Sequence, residues 1–245
     1  MVFQPIDTGV KFGYRLLYQL QWALAHYKFQ YILRVDDDIM LCLHRLRHDL
    51  RYIRKTSLQW GVLHCMQDNT NFIDEGIMML TRDVVMQFLS QNPLRMRCHV
   101  FGDQQIATWI QDLNLNPTNI YMYDLRIHHS PPASEMRNYF DELDDICINH
   151  IAVHGVYPTE MEDFWAKKRT RVYPAFHPLP VTETCDRQYA YHWRLFKPSY
   201  RYQPKYCHKK PQWTNLILES ADGQFIGREQ QPQKEELWEK MHFAN

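Results

Sequence analysis

The chain has 245 residues, of which 45% are hydrophobic and 14% aromatic, so its length and composition fit a globular protein with a sizeable core. Its 28 Lys and Arg residues balance 28 Asp and Glu residues, which gives no electrostatic reason to expect a nucleic-acid partner. The 7 Trp and 15 Tyr residues exclude a disordered chain. No stretch approaches the roughly 20 apolar residues of a membrane span, and the first residues lack the basic and apolar blocks of a signal peptide.

The N-terminal part predicts a helix followed by a strand. Residues 12–27 place Leu17, Leu20 and Leu24 at helical spacing, which indicates an amphipathic helix. Residues 31–35 are a continuous apolar run, apart from one arginine, and predict a buried strand. After a second apolar stretch, hydrophobic residues from 43 to 53 recur at steps of three and four, which predicts another helix whose basic residues form its solvated side.

Strand-like and helix-like segments then alternate up to residue 166, which predicts an α/β fold with a largely parallel or mixed sheet. Thr81 is expected to cap one helix, and Met161, Phe164 and Trp165 to form the buried face of another. From about residue 171, prolines and aromatic residues predict an irregular extension with a polar tail over the last 15 residues. The predicted segments are strands at 60–66, 76–80 and 119–124, and helices at 82–89, from 103 and from 158.

Cysteine spacing gives a weaker signal. No Cys-x-x-Cys pair occurs, so neither a zinc finger nor a thioredoxin-like motif is indicated. The count is compatible with six free thiols or with up to three disulfides, and an even number favours an oxidising compartment. The cysteines are Cys42, Cys65, Cys98, Cys147, Cys185 and Cys207.

Three consecutive aspartates, Asp36, Asp37 and Asp38, follow the predicted strand 31–35. Unpaired carboxylates beside a core are costly, and a hard divalent cation such as Mg²⁺ or Mn²⁺ neutralises them while it binds phosphate oxygens. A solvated turn or a helix N-terminus is the alternative interpretation. The continuous apolar strand is typical of a sheet covered on both faces, whose ligands bind at the carboxyl ends of strands, and this favours a metal and a nucleotide.

Four segments carry a family resemblance. The triplet matches an Asp-x-Asp motif, and residues 75–83 echo Gly-Gly-Gly-Tyr-Val-Leu-Ser-x-Asp, with Gly76, Leu80 and Asp83 in agreement. Residues 102–104 echo Glu-Asp-Val, with Trp109 in register. In that order and spacing, residues 7–166 resemble the inverting β-1,3-glycosyltransferases, which include β-1,3-galactosyltransferases, β-1,3-N-acetylglucosaminyltransferases and, more remotely, Fringe. The remaining matches are His154, Pro158, Met161 and Trp165 of the closing segment, and Arg15, where the family usually has Lys.

The resemblance implies a GT-A fold: an α/β protein with a mixed sheet flanked by helices, lacking its first strands, with the catalytic domain at residues 1–170 and the Pro-rich, aromatic extension at 171–245. It also implies transfer of a hexose or N-acetylhexosamine from a UDP-sugar to a hydroxyl of a glycan on a glycoprotein or glycolipid, in β-1,3 linkage with inversion. The expected cofactor is Mn²⁺ or Mg²⁺.

The resemblance also assigns roles to residues. Asp38 and His154 would hold the metal, assisted by Asp36. Asp103 would be the general base, with plain helix capping as the alternative. The donor-binding residues would be Asp36, Asp37, Arg15, Glu75 and Gly76.

The sequence also departs from the family pattern. Glu75 and Ile77 flank Gly76 where the family has glycines, and Gly102 replaces the Glu of Glu-Asp-Val. Family members carry a signal anchor, a stem and several strands before the first matched segment, and they reside in the Golgi membrane on its lumenal side. We therefore expect a fragment of weak stability, with an open sheet edge, that would reach the membrane only through the missing anchor.

Two other functions remain open. A lectin-like or partner-binding relative could keep the fold and lose turnover, as the altered glycine motif permits. A metal-dependent hydrolase is disfavoured because no His-x-His or His-Asp pair follows a strand beside the triplet.

Overall fold

The protein is described here from a computed structural model, which shows a mixed α/β fold with mixed sheets flanked by helices. It describes residues 12–65, 71–128, 146–156, 158–166, 181–190, 204–211, 217–219 and 225–228. The helices are α1 Phe12–His26, α2 Leu43–Asp49, α3 Arg82–Leu89, α4 Gly102–Asp112, α5 Pro117–Ile120, α6 Pro158–Ala166 and α7 Val181–Ala190. The strands are β1 Tyr31–Val35, β2 Ile39–Leu41, β3 Gln59–Cys65, β4 Asn71–Thr81, β5 Arg97–Cys98, β6 Tyr121–Tyr123, β7 Ile127–His128, β8 Ala152–His154, β9 Lys205–Tyr206, β10 Ile217–Glu219 and β11 Phe225–Arg228.

The central sheet has four strands in the order β1-β4-β3-β6. β3 pairs with β6 in parallel, whereas β4 runs antiparallel to both β1 and β3, so β1, β3 and β6 share one direction. The carboxyl end of β1 therefore lies opposite Ile77, near the middle of β4, and that of β3 lies opposite Asn71, at the start of β4. Within the described part of the chain, β1 forms an outer strand of this sheet.

A smaller sheet has the order β2-β8-β7. β2 pairs antiparallel with β8, and Ile39 lies opposite His154 in this register. β7 pairs in parallel with β8. The segment after the aspartate triplet is thus bound directly to the segment that contains His154.

Apolar clusters cover both faces of the central sheet. On one face, α1, α3 and α4 bury Leu20, Phe88 and Trp109. On the other, Trp60 and Met79 pack against the small sheet. All seven residues of β3 are buried, as expected for a central strand covered on both faces. The prediction of a buried strand at 31–35 is wrong in this respect, because all five residues of the outer strand β1 are only half-buried.

Several predicted boundaries and contacts are wrong. α2 ends at Asp49, and the chain reaches Ile53 through turns. Thr81 occupies the predicted N-cap position of α3, but its side chain makes no capping hydrogen bond, because its Oγ1 instead accepts from the backbone N–H of Leu58 at 3.0 Å. In α6, Phe164 is buried as expected, whereas Trp165 is 54% exposed.

Two predicted strands also have wrong boundaries. β4 begins at Asn71, five residues before the strand predicted at 76–80. The prediction missed residues 71–75 because Asn71, Asp74 and Glu75 interrupt the apolar pattern. The strand predicted at 119–124 is only Tyr121–Tyr123, since Pro117 begins a short helix that extends to Ile120.

All six cysteines form disulfides, which resolves the choice between thiols and disulfides. The bonds are Cys42–Cys147, Cys65–Cys185 and Cys98–Cys207. The first joins the end of β2 to the 3-10 turn Ile146–Ile148, close to β8. The other two fasten the C-terminal region to β3 and to β5, which also pairs with β9.

Parts of the predicted extension, including its polar tail at 231–245, lie outside the described residues. The described helices include none with the length and apolar character needed to cross a membrane.

Loss of the Cys42–Cys147 bond should strongly destabilise the protein. The two cysteines are 105 residues apart in the sequence, so their disulfide closes a long loop and restricts the unfolded chain. Replacement of both Cys42 and Cys147 by Ser should therefore lower the free energy of unfolding. The expected loss in equilibrium urea unfolding is about 2–5 kcal/mol. The matched variant replaces both Cys98 and Cys207 by Ser. It removes a disulfide that closes a loop of nearly equal length, 109 residues, so its loss of stability should be similar. An unchanged urea midpoint in the first variant would contradict a structural role for this bond.

Candidate active site

Asp38 and His154 form a close pair although they lie far apart in the sequence. The pairing of β2 with β8 places them side by side, and the backbone N–H of Val156 donates to the Asp38 carbonyl at 2.8 Å. The His154 Nε2 is 3.3 Å from Asp38 Oδ2. The hydrogen bond from His154 lowers the pKa of Asp38, and partial burial opposes this effect. The Asp38 carboxylate is therefore held in its ionised form.

The rest of the triplet has separate environments. Asp36 follows β1, and its Oδ1 lies 3.0 Å from Nη2 of Arg34. Burial raises the pKa of Asp36, Arg34 lowers it, and the charges of Asp38 and Asp74 raise it further. Asp37 lies in the following turn and is exposed. Asp36 thus connects the Asp38–His154 pair electrostatically to carboxylates of β4.

An irregular stretch of β4 supplies those carboxylates. Leu63 of β3 faces Ile73 and Gly61 faces Met78, so residues 74–77 of β4 oppose a single residue of β3. Bulges of this kind redirect side chains and are frequent beside active sites.

Asp74 is held firmly at the start of this stretch. Its Oδ1 accepts from the backbone N–H of Gly76 at 2.7 Å, and its Oδ2 lies 3.0 Å from His64 Nε2. A Cβ at position 76 would lie 2.9 Å from Asp74 Oδ1 and 3.5 Å from Asp36 Oδ2. Glycine at position 76 therefore allows two carboxylates to approach the strand closely.

Asp103 lies in the first turn of α4 and is only 7% exposed. Its Oδ1 accepts from the backbone N–H of Gln104 at 2.6 Å. The N-cap residue of α4 is Phe101, so Asp103 does not occupy the capping position that was the alternative interpretation. Burial raises the pKa of Asp103 well above its usual range, and the charges of Glu75 and Asp74 raise it further.

Glu75 connects β4 to the same helix. Its Oε2 accepts from the backbone N–H of Gly102 at 2.7 Å. Burial raises the pKa of Glu75 to about 7, whereas the Arg34 charge and the Gly102 hydrogen bond lower it. Near neutral pH Glu75 is therefore a carboxyl group that can exchange a proton.

The structure brings most of the predicted site residues to one edge of the central sheet. Arg15 is exposed on α1, with its guanidinium 5.5 Å from the centre of the Phe12 ring. Sequence reasoning missed Arg34, His64 and Asp74. The adjacent acidic residues Asp74 and Glu75 before Gly76 could have indicated this part of the site from the sequence. Arg34 of β1 and His64 of β3 could not, because only strand pairing brings them close to β4.

The Asp38–His154 pair fits a divalent cation as two neighbouring ligands. Adjacent octahedral ligands at about 2.1 Å from Mg²⁺ lie about 3 Å apart, close to the observed separation. Such an ion commonly takes one or two protein carboxylates, with water and phosphate completing its shell. Among the described residues, no three or more His, Cys, Asp or Glu side chains are arranged to hold a metal, and Asp36 is paired with Arg34.

Comparison with protein-family models and with curated proteins gave no match to this chain. The family resemblance therefore stays a prediction from the motifs.

Proposed function

We propose that this chain belongs to a GT-A glycosyltransferase that moves a hexose or N-acetylhexosamine from a UDP-sugar to a glycan hydroxyl on a glycoprotein or glycolipid. The linkage formed is β-1,3, with inversion at the anomeric carbon. The observation that carries this proposal is the Asp38–His154 pair at the same sheet edge as the buried Asp103 carboxyl. A cation-binding pair beside a buried base is the arrangement that this displacement needs.

Asp38 and His154 are the residues that would hold Mn²⁺ or Mg²⁺. When bound there, the ion supplies positive charge that stabilises the departing UDP. The lowered pKa of Asp38 supports this role, because an ionised carboxylate is ready to bind a cation.

The donor would lie along the same edge. In this proposal Asp36 and Asp37 would hold water or the donor ribose, and the sugar would lie beside Gly76 and Glu75. A donor-binding role for Arg15 stays a prediction from the resemblance alone.

Asp103 acts as the general base. Its ionised carboxylate removes the proton of the acceptor hydroxyl while the acceptor oxygen bonds to the anomeric carbon. The bond from that carbon to the UDP oxygen breaks on the opposite face, so the configuration inverts. Because burial raises the pKa of Asp103, its carboxylate is a stronger base than that of an ordinary exposed aspartate.

The three disulfides support residence in an oxidising compartment, for which we propose the Golgi lumen. In the resembled family a signal anchor makes the attachment to the Golgi membrane.

A second candidate is a glycan- or partner-binding relative without turnover. Glu75 favours it, because a half-buried carboxylate beside Gly76 brings negative charge close to the place proposed for an anionic donor.

A turnover assay separates these functions. The whole chain, secreted with its disulfides formed, is incubated with a panel of UDP-sugars and glycan acceptors, with Mn²⁺ or with a chelator. Mn²⁺-dependent UDP release, with a β-1,3 product identified by NMR, is the result expected from the proposal. Binding of a glycan without UDP release would favour the binding relative. Ester or phosphate hydrolysis without a UDP-sugar would favour a hydrolase.

A further inference from the structure

Gly102, the first residue of α4, contacts Glu75 of β4. A Cβ at this position would lie 2.6 Å from Glu75 Oε2 and 2.9 Å from Cδ2 of Leu16. Contacts this short force the neighbours to move. The Glu75 carboxylate therefore occupies the space that a side chain at position 102 would take, and this space is immediately before Asp103.

Glu75 is fixed in that place from both sides. It comes from the irregular stretch 74–77 of β4, and its Oε2 accepts the Gly102 N–H at 2.7 Å. This N–H belongs to the first turn of α4, whose amide groups have no partner within the helix. The positive end of the helix dipole also favours a carboxylate there. One side chain thus both anchors the helix start and places a charge beside Asp103.

We propose that Glu75 is the positioning residue for Asp103: its carboxylate anchors the first turn of α4 and places a second carboxylate beside the Asp103 side chain. This inference rests on the proposed function, in which Asp103 is the general base.

The groups around Asp103 determine the direction of the pH effect. Glu75 and Asp74 from β4 raise the pKa of Asp103, and Arg34 from β1 lowers it. Asp36 acts on Glu75, and the Asp103 charge raises the pKa of Tyr121 on β6. Among these charged neighbours Glu75 has the largest effect on Asp103, so removal of its charge should allow Asp103 to ionise at lower pH.

Two substitutions separate anchoring from charge. Glu75→Gln keeps an oxygen that can accept the Gly102 N–H but removes the negative charge. It should shift the protonation midpoint of Asp103, and the acidic limb of kcat/KM, to lower pH by about one unit or more. Glu75→Ala removes both functions, so kcat should also fall, by about tenfold or more, as Asp103 loses its position.

The decisive experiment measures Asp103 directly and does not depend on turnover. NMR with ¹³C-carboxyl-labelled aspartate follows the Asp103 resonance against pH, assigned by its absence in Asp103→Asn. The matched control is Glu162→Gln, an exposed glutamate on α6 whose loss should leave the midpoint unchanged. A ¹⁵N–¹H spectrum of each variant establishes that it is folded.

A lower Asp103 midpoint in folded Glu75→Gln, with the control unchanged, is the expected result. Equal midpoints in wild type and Glu75→Gln would overturn the inference, whatever the enzyme does. Absence of UDP-sugar turnover in all proteins, together with a shifted midpoint, would instead reject the proposed function and leave the Glu75–Asp103 coupling standing. If Glu75→Gln does not fold, the pH dependence of the Gly102 amide shift in wild type is the second measurement. A shift that does not change between pH 5 and 9 would then overturn the inference.

Discussion

Asp103→Asn should lower kcat for sugar transfer by about 10²–10⁴-fold, the usual contribution of a general base. Asparagine has nearly the same shape, and its oxygen can still accept the Gln104 N–H that Asp103 accepts now. It cannot take a proton from the acceptor hydroxyl. The affinity for UDP and Mn²⁺ should stay near that of the wild type, because neither ligand depends on this carboxyl group.

The stability of Asp103→Asn has a predictable sign. Burial raises the pKa of Asp103 in the folded state, so the wild type loses stability as pH rises through that folded pKa. The asparagine variant carries no such charge. It should therefore be at least as stable as the wild type at pH 8, which separates a catalytic loss from a folding loss.

The matched control for this prediction is Asp112→Asn, at the other end of the same helix. Asp112 is ion-paired with Arg97 and belongs to no part of the proposed site. Its loss should leave kcat within about threefold of the wild type, since exposed ion pairs contribute little. Comparable activity of Asp103→Asn and the wild type would exclude Asp103 as the base.

Asp38→Ala should remove Mn²⁺-dependent binding of UDP. The pair with His154 supplies the two protein ligands, and loss of even an outer partner of a ligand costs about 10–100-fold in metal affinity. We therefore expect the Mn²⁺ dissociation constant to rise at least that much. His154→Ala should have a similar effect, and the double variant little more, because the two side chains act on one ion.

Titration of Mn²⁺ by electron paramagnetic resonance, with and without UDP, measures this effect. Asp163→Ala on α6 is the control, since Asp163 is exposed and outside the site. If Asp38→Ala binds Mn²⁺ and UDP as the wild type does, the metal assignment is wrong.

Local sequence patterns predicted the regular parts of the fold well. The helix at 12–27 and the strand at 31–35 match α1 and β1, and the helix at 82–89 matches α3. These segments have a clear hydrophobic period. The first half of β4 was missed because Asp74 and Glu75 interrupt its apolar pattern, and their burial depends on partners from other strands. The disulfide connectivity could not be predicted either, since six cysteines permit fifteen pairings.

The site was predicted in part. The resemblance named Asp38, His154 and Asp103, and the pairing of β2 with β8 supplies the geometry that joins the first two. The sequence could not show that two departures from the family pattern lie next to each other in space. Glu75 and Gly102 are separated in sequence, yet the Glu75 carboxylate fills the space that Gly102 leaves open. This contact follows from the packing of α4 against β4, which the sequence does not reveal.

The metal assignment is tested most directly in crystals grown with Mn²⁺ and UDP, where anomalous diffraction at the manganese absorption edge locates the ion. We expect one strong anomalous peak next to Asp38 and His154, with the diphosphate of UDP completing the coordination. Mn²⁺ bound elsewhere, or UDP bound without an ion at this pair, would contradict the assignment.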